Sequence, residues 1–384
     1  MCGGLNLQFF KRLATNSNSY ARTHQKADKT FVGYAWNNIT TEEMIRFNGM
    51  VLKMSIDDRK LGGYKAYFKE EIPVSLGEGY TVTLTDYPAW ASKIMPLWRF
   101  KQIRAAFHPE VGASTIGDTC HQLRYALDQL NKTSKATFEP GLDMSFDEGG
   151  VASRSRMNPV RQYNKDKPNK FRVDFFVLAN NKPGTYFIYH LDVYQGKNAE
   201  NIGIPLEIQD MPTTQKAVLN AVISSGIGKD VNGSRRLFLD NRYTAASLLI
   251  QLREQYDILC SGTTRANRIG WPKDQMNLSK KDDDRGTSKV LYDKVNKILV
   301  TQWVDSKVVS CTSTLNVSGL VDVKRRSGST ILNLLVERSL KLYQEGMDAV
   351  DRGDQHCELG AGFASKSHYK KWYKKSLPCW ISCF

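Results

Sequence analysis

"RRLFLDNRYTAASLLIQLREQYDILCSG", residues 235–262, passes from an apolar run through a polar break into a helical pattern and out again. "RRLFLDNRY" is a short strand that terminates at Asp240 and Asn241. "TAASLLIQLREQ" is a helix capped by Thr244, and "YDILCSG" is a second strand. Strand–helix–strand is the unit of a sheet with helices on its faces. Upstream, "KFRVDFFVLAN" and "TYFIYHLDVYQG" are rich in Val, Ile, Tyr and Phe and are separated by the turn signal "NKPG"; they predict adjacent antiparallel strands. "TTQKAVLNAVISSG" predicts a helix ending at Gly226. With "MSFDEGG" as an earlier strand, the order strand, strand, strand, helix, strand, helix, strand describes an α/β fold built on a mixed sheet.

Further out the periodicity changes. Between about 37 and 140 the pattern is largely helical. "NNITTEEMIRFNGMVLKMSI" opens with Thr40 or Thr41 as a cap, and "PLWRFKQIRAAFHPE" and "DTCHQLRYALDQLNKTS" follow as amphipathic helices. Residues 1–36 combine Lys11, Arg12, Arg22 and Lys26 with Ser and Asn and hold no acid before Asp28. They read as a disordered basic arm, and the same features are those of a mitochondrial transit peptide. After the second strand, "KDQMNLSKKDDDRGTSK" is a solvated loop, "ILVTQWVDSKVVSCTS" alternates like a hairpin around Asp305 and Ser306, and "ILNLLVERSLKLYQEGMDAVDRGDQ" returns to helical spacing.

The chain of 384 residues holds 54 Lys and Arg against 39 Asp and Glu, a formal net charge of +15. That surplus favours a polyanionic partner. No apolar run approaches the ~18 residues a membrane span needs. The seven cysteines are scattered without zinc-ligand spacing. Against this basic background Asp147 and Asp240 each sit where an apolar run meets polar residues, and Asp348, Asp351 and Asp354 follow at intervals of three. Aspartate at such places also closes turns through its own hydrogen bonds. Carboxylates converging from several elements can instead hold two hard cations, which in phosphodiester chemistry stabilise the attacking and leaving oxygens.

The residues around those aspartates resemble the piggyBac-type transposases, over roughly 35 to 376. The resemblance rests on five segments in the family's order. They are "SFDE" with "QYNKDKPNKFRVDFFVLAN" and "VYQG"; "LFLDNRYTAASLLIQL"; "CSGTTRANRIGWP"; "WVDSKVVSCTST"; and "YQEGMDAVDRGDQ". It implies a helical dimerisation and DNA-binding region at 37–141 and a ribonuclease H-like catalytic core at 142–262. A mainly-β insertion domain at 263–338 and a core helix at 339–356 would follow, with 357–384 a truncated C-terminal segment. It matches Asp147, Asp240 and Asp351 to the catalytic aspartates and Asp354 to a further metal ligand, while Asp348 falls where the family has glycine and inherits no role.

The implied cofactor is a pair of divalent metal ions, Mg2+ or Mn2+. The implied partners are double-stranded DNA at transposon ends and TTAA targets, with a second copy of the chain, in the nucleus. Lys165, Lys167, Lys170, Arg265, Arg268, Lys324, Arg325, Arg326, Lys370, Lys371, Lys374 and Lys375 are the candidate phosphate contacts. The expected activity is metal-dependent DNA strand cleavage and transfer. Poor transposition is expected because the family continues beyond the last carboxylate through helices that help grip the DNA ends. The alternative is a transposase-derived DNA-binding protein without catalysis.

Overall fold

The computed structural model describes residues 5–353, except 58–62, 70–71, 78–79, 85–88, 111–116, 168, 183–184, 197–202, 229–233 and 316, and then 371–374 and 376. The first element is a helix, α1 (Leu7–His24), where a disordered arm was expected. Its cap is Asn6, whose Oδ1 accepts from Phe9 N at 2.9 Å, and it buries Phe9, Phe10, Leu13, Ala14 and Ala21. The polar residues that suggested disorder are brackets for neighbouring loops. Asn18 both donates to Ile39 O (2.9 Å) and accepts from Ile39 N (2.7 Å), Asn16 donates to Pro109 O (2.7 Å), and Ser17 Oγ accepts from His108 N (3.1 Å).

A two-residue strand pair, β1 (Thr30–Phe31) and β2 (Tyr34–Ala35), leads to α2 (Thr41–Ile56). Thr40 caps α2 in a reciprocal capping box with Glu43, so the first of the two expected caps is the one used. The region is largely helical as expected, with an unanticipated hairpin of β3 (Ile72–Gly77) and β4 (Tyr80–Leu84) interrupting it. Helices α3 (Trp90–Ile94), α4 (Leu97–Ala106) and α5 (His121–Thr137) complete it. Arg99, almost fully buried, ties α4 to α2 through Glu43 at 2.8 and 2.9 Å.

The sheet begins with β5 (Asp143–Ala152), followed by β6 (Arg161–Tyr163), β7 (Phe171–Lys182) and β8 (Thr185–Val193). Then come α6 (Thr213–Ser225), β9 (Arg235–Leu239), α7 (Ala246–Tyr256) and β10 (Ile258–Thr263). Strand β7 is antiparallel to both its neighbours, β8 and β5, and β9 and β10 continue beside β5 in parallel. The order β8-β7-β5-β9-β10, with α6 and α7 as crossovers, is that of a ribonuclease H-like core. Gly226 ends α6 at φ +71°, a left-handed conformation that suits glycine. Thr244 does not cap α7; its hydroxyl turns back to donate to Asp240 O at 2.9 Å, and Ala245 takes the cap position.

Beyond β10 the chain does not leave the sheet for a separate insertion. β11 (Ser288–Asp293), β12 (Ile298–Val304) and β13 (Val308–Ser313) extend it as a meander, with β13 antiparallel to β10. Only the following hairpin, β14 (Leu320–Ser327) and β15 (Thr330–Glu337), forms its own two-stranded sheet. "ILNLLV", expected to be helical, lies in β15, because every residue from Thr330 to Glu337 has a register partner on β14. Helix α8 (Arg338–Gly346) begins only after it.

One face of the sheet buries Met144, Phe146, Leu178, Leu237 and Leu239 against α6 and α7. The other presents Val151, Val173, Phe175 and Val177 to the N-terminal helices and to Ala349 and Val350. Among the described residues no helix is long and apolar enough to cross a membrane.

Candidate active site

Asp147 lies within β5 rather than at its end, but at the level where its parallel neighbour stops. Phe146 is the register partner of Leu239, the last residue of β9, so Asp147 and Asp240 are the next residues on the two strands. Both alternate away from the α6–α7 face: Phe146 and Leu239 point into that core, whereas Val177, opposite Asp147, points to the other side. Asp240 is held in a tight turn, its Oδ1 accepting from Arg242 N at 2.9 Å and its carbonyl from Tyr243 N and Thr244 N at 3.0 Å.

Asp147 Oδ1 is buried and has no hydrogen-bond partner. Burial first, then the neighbouring Glu148 and Asp240 carboxylates, push Asp147 up to about 8. A buried oxygen without a donor, next to a second carboxylate, lacks a compensating positive charge. This pair therefore fits a divalent cation, whose oxygen ligands are carboxylates.

The Glu148 carboxylate, beside Asp147, is held by Tyr243, which donates to it, and by Arg242, which pairs with it at 2.5 Å. Sequence reading missed this triad, since Arg242 and Tyr243 read only as the end of a strand. The loop after Asp240 is braced from β10: Arg268 donates to Asn241 O (2.6 Å) and Arg242 O (3.0 Å), and Arg265 to Asn241 Oδ1 (3.0 Å). Two of the expected phosphate contacts thus shape the loop that carries the second aspartate.

α8 crosses the Asp147–Asp240 face, touching β5, β9 and β10. Gly346 lies so close to Phe238 that an added Cβ would meet the ring at 2.2 Å. Tyr343 bonds Thr263 at 3.2 Å; burial raises its phenol, and Cys311, Asp240 and Asp147 add to the rise. The helix breaks at Met347 and resumes at 349–353, where Arg352 N donates to Asp348 O at 2.9 Å, so Asp348 opens the helical segment that carries Asp351. Asp348 is ion-paired with Arg352. Asp351 is exposed on the segment whose Ala349 and Val350 pack on the Asp147 side of the sheet. Asp354 lies outside the described residues. Among the described residues no group of three His, Cys, Asp or Glu side chains is placed to hold a metal ion.

The remaining cations divide by burial. Lys165, Lys167 and Lys170 are exposed between β6 and β7. Lys170 joins Arg154, Arg156 and Arg161, none of them anticipated, around a cavity of about 670 Å³. Arg161 lies 4.8 Å from the ring centre of Phe171, which stands 5.0 Å from exposed Tyr163. The Arg-x-Arg of "SRSRM", seven residues past Asp147, was the available signal.

Lys324 and Arg326 are exposed on β14. Arg325 between them turns inward to Asp305 (3.2 Å), Gln344 (2.5 Å) and the Trp303 ring, so it is not a free phosphate contact. Lys374 is also a correction: it is 6% exposed and donates to Ala105 O, because residues 371–374 pack back on α4 and α1. There Tyr373 OH meets His108 Nε2 at 2.6 Å, and Lys371 lies 4.4 Å from the Tyr20 ring. Lys370 and Lys375 lie outside the described residues.

The fold is similar to that of a piggyBac transposase solved by cryo-electron microscopy in a synaptic complex with hairpin DNA. The TM-score is 0.76 at 17% identity, over 100% of this chain and 71% of that one. No curated protein matches the sequence. The pattern of the DDE transposase family described as Transposase IS4 matches residues 5–382. That is nearly the whole chain, including the sheet that pairs Asp147 with Asp240, and the protein belongs to that family.

Proposed function

We propose that this chain is a piggyBac-type DNA transposase that cleaves and joins DNA strands at transposon ends, with TTAA as target. The observation that carries this reading is the orphaned Asp147 oxygen beside Asp240 on adjacent parallel strands. Asp147 and Asp240, joined by Asp351 and Asp354, would hold divalent cations, Mg2+ or Mn2+. When bound, these supply Lewis-acid activation of water or a 3′-hydroxyl and charge stabilisation for the departing oxygen.

The chain's own residues do the rest. Asp147, raised to about 8 by burial and its neighbouring carboxylates, would serve as a ligand in its ionised form. Arg265 and Arg268 hold the Asp240 loop in place. Arg154, Arg156, Arg161 and Lys170 offer a basic cradle for the sugar-phosphate backbone. The structure solved with hairpin DNA supports a DNA partner by analogy of fold. Pairing of two copies and residence in the nucleus belong to the same proposal.

A second reading, a DNA-binding protein without catalysis, is favoured by the lack of a third metal-ligating side chain near the pair among the described residues. An excision assay separates the two. A plasmid carrying the ends that flank the gene would be excised by the chain and not by Asp147→Asn or Asp240→Asn. DNA binding without excision, unchanged in both variants, would establish the second reading.

A further inference from the structure

At the β8 edge of the sheet, α5, β8 and α6 line a cavity of about 230 Å³. His190 lines it from β8; it is 5% exposed, and its Nε2 is buried with no hydrogen-bond partner. A register shift opposite Leu178 and Ala179 leaves Tyr189 as the extra residue of β8. The shift lets His190 stand beside Tyr189 in the cavity wall. Such bulges re-aim side chains. Asp192, two residues on, accepts from Asn220 Nδ2 at 2.9 Å, and Ser224 reaches Asn220 Oδ1 at 3.4 Å, so the wall continues as a polar chain.

We propose that this cavity binds a small hydroxylated anion, with a hydroxyl on His190 Nε2 and the anionic group held by Lys132 and Lys135. Burial holds His190 neutral, so its ring offers either a donor or an acceptor at Nε2. A hydroxyl satisfies both tautomers. Lys132 and Lys135 lie on the exposed side of α5 at the cavity wall, and neither has an ion-pair partner among the described residues. Arg124, also in the wall, is already engaged by Asp118. Of the two acids there, Asp192 is buried, which favours its neutral form and outweighs the opposing hydrogen bonds from Val193 N and Asn220 Nδ2, and Asp128 is exposed beside Lys132. A metal is disfavoured, since no three suitable ligands meet among the described residues. The site lies at the β8 edge, with β7 between it and the strand that carries Asp147, so it is separate from the catalytic pair.

The test is a titration of the full, histidine-labelled chain followed by nuclear magnetic resonance. Ribose 5-phosphate is the probe, with citrate to tell carboxylate from phosphate, and ribose and inorganic phosphate as controls. The His190 ring signal, identified through His190→Gln, should move saturably with ribose 5-phosphate or citrate, at least about tenfold more tightly than with either control. Lys132→Ala and Lys135→Ala, on an exposed helix face, should each weaken binding several-fold while the unliganded His190 signal stays in place. These variants carry the test if His190→Gln does not fold. No shift up to ~10 mM probe, an equal response to phosphate alone (an adventitious ion only), or indifference to both lysine variants would overturn the proposal.

Discussion

Asp147 and Asp240 are successive steps across one parallel strand pair, each following a residue of the last register pair, Phe146 and Leu239. Nothing donates to Asp147 Oδ1, and burial together with Glu148 and Asp240 raises its carboxyl to about 8. The pair is therefore a local cost to the metal-free fold. Asp147→Asn should leave metal-free thermal stability unchanged or higher while abolishing strand cleavage. A calorimetric midpoint more than a few degrees lower would show that the carboxylate is structural.

Tyr243 is 1% exposed and its hydroxyl donates to Glu148, which also pairs with Arg242. Tyr243→Phe keeps the ring against Phe146 (5.0 Å) but leaves Glu148 with one partner fewer. A loss of about 1–3 kcal/mol is expected by denaturant unfolding. No change would mean that Arg242 alone satisfies Glu148.

Gly346 is where α8 meets β9, and an added methyl would strike the Phe238 ring at 2.2 Å. Gly346→Ala should cost about 1–3 kcal/mol through overpacking and loosen the cover over the aspartate pair. Combining it with Phe238→Ala should cost less than the sum of the two single changes, because the clash is gone. Strict additivity in the unfolding cycle would contradict this packing.

Lys374, packed against Ala105 of α4, is depressed to about 7 from an ordinary 10.5 by burial and then by Lys371 and Arg104. The folded state resists charging it, so stability is lost as pH falls from about 10.5 to about 7 and is level below that. Lys374→Met should therefore gain on the native chain over that window, with the gap widest near and below pH 7. A gap that stays constant between pH 10 and 6 would place this lysine in water.

The parts of the fold visible in the sequence were those governed by local pattern. The alternation of β12 and β13, the antiparallel pair β7–β8 and the Gly226 stop all follow from short-range chemistry. Helix α1 was hidden because Asn16, Ser17 and Asn18 look like disorder until their distant partners Pro109, His108 and Ile39 are known. β15 was hidden for a similar reason, since "ILNLLV" suits a helix until β14 lies beside it.

At the site, the two strand-borne aspartates were legible from apolar runs meeting polar residues. The spacing of Asp348 and Asp351 was legible as helical, since 349–353 is a helical segment opened by the Arg352 N to Asp348 O bond, but neither the break at Met347 ahead of it nor the pairing of Asp348 with Arg352 was. Arg325 and Lys374 misled: charge is readable in a sequence, but the direction a basic side chain takes is set by tertiary partners such as Asp305 and Ala105.

The central claim is that Asp147 and Asp240 together hold a divalent cation. Titrating the full chain with Mn2+ at pH 8.5, roughly where Asp147 ionises, and following free Mn2+ by electron paramagnetic resonance tests it most directly. The account predicts saturable binding by the native chain, weakened at least about tenfold in Asp147→Asn and in Asp240→Asn and unaffected by Asp348→Asn. Binding of native strength in both Asp147→Asn and Asp240→Asn would contradict it.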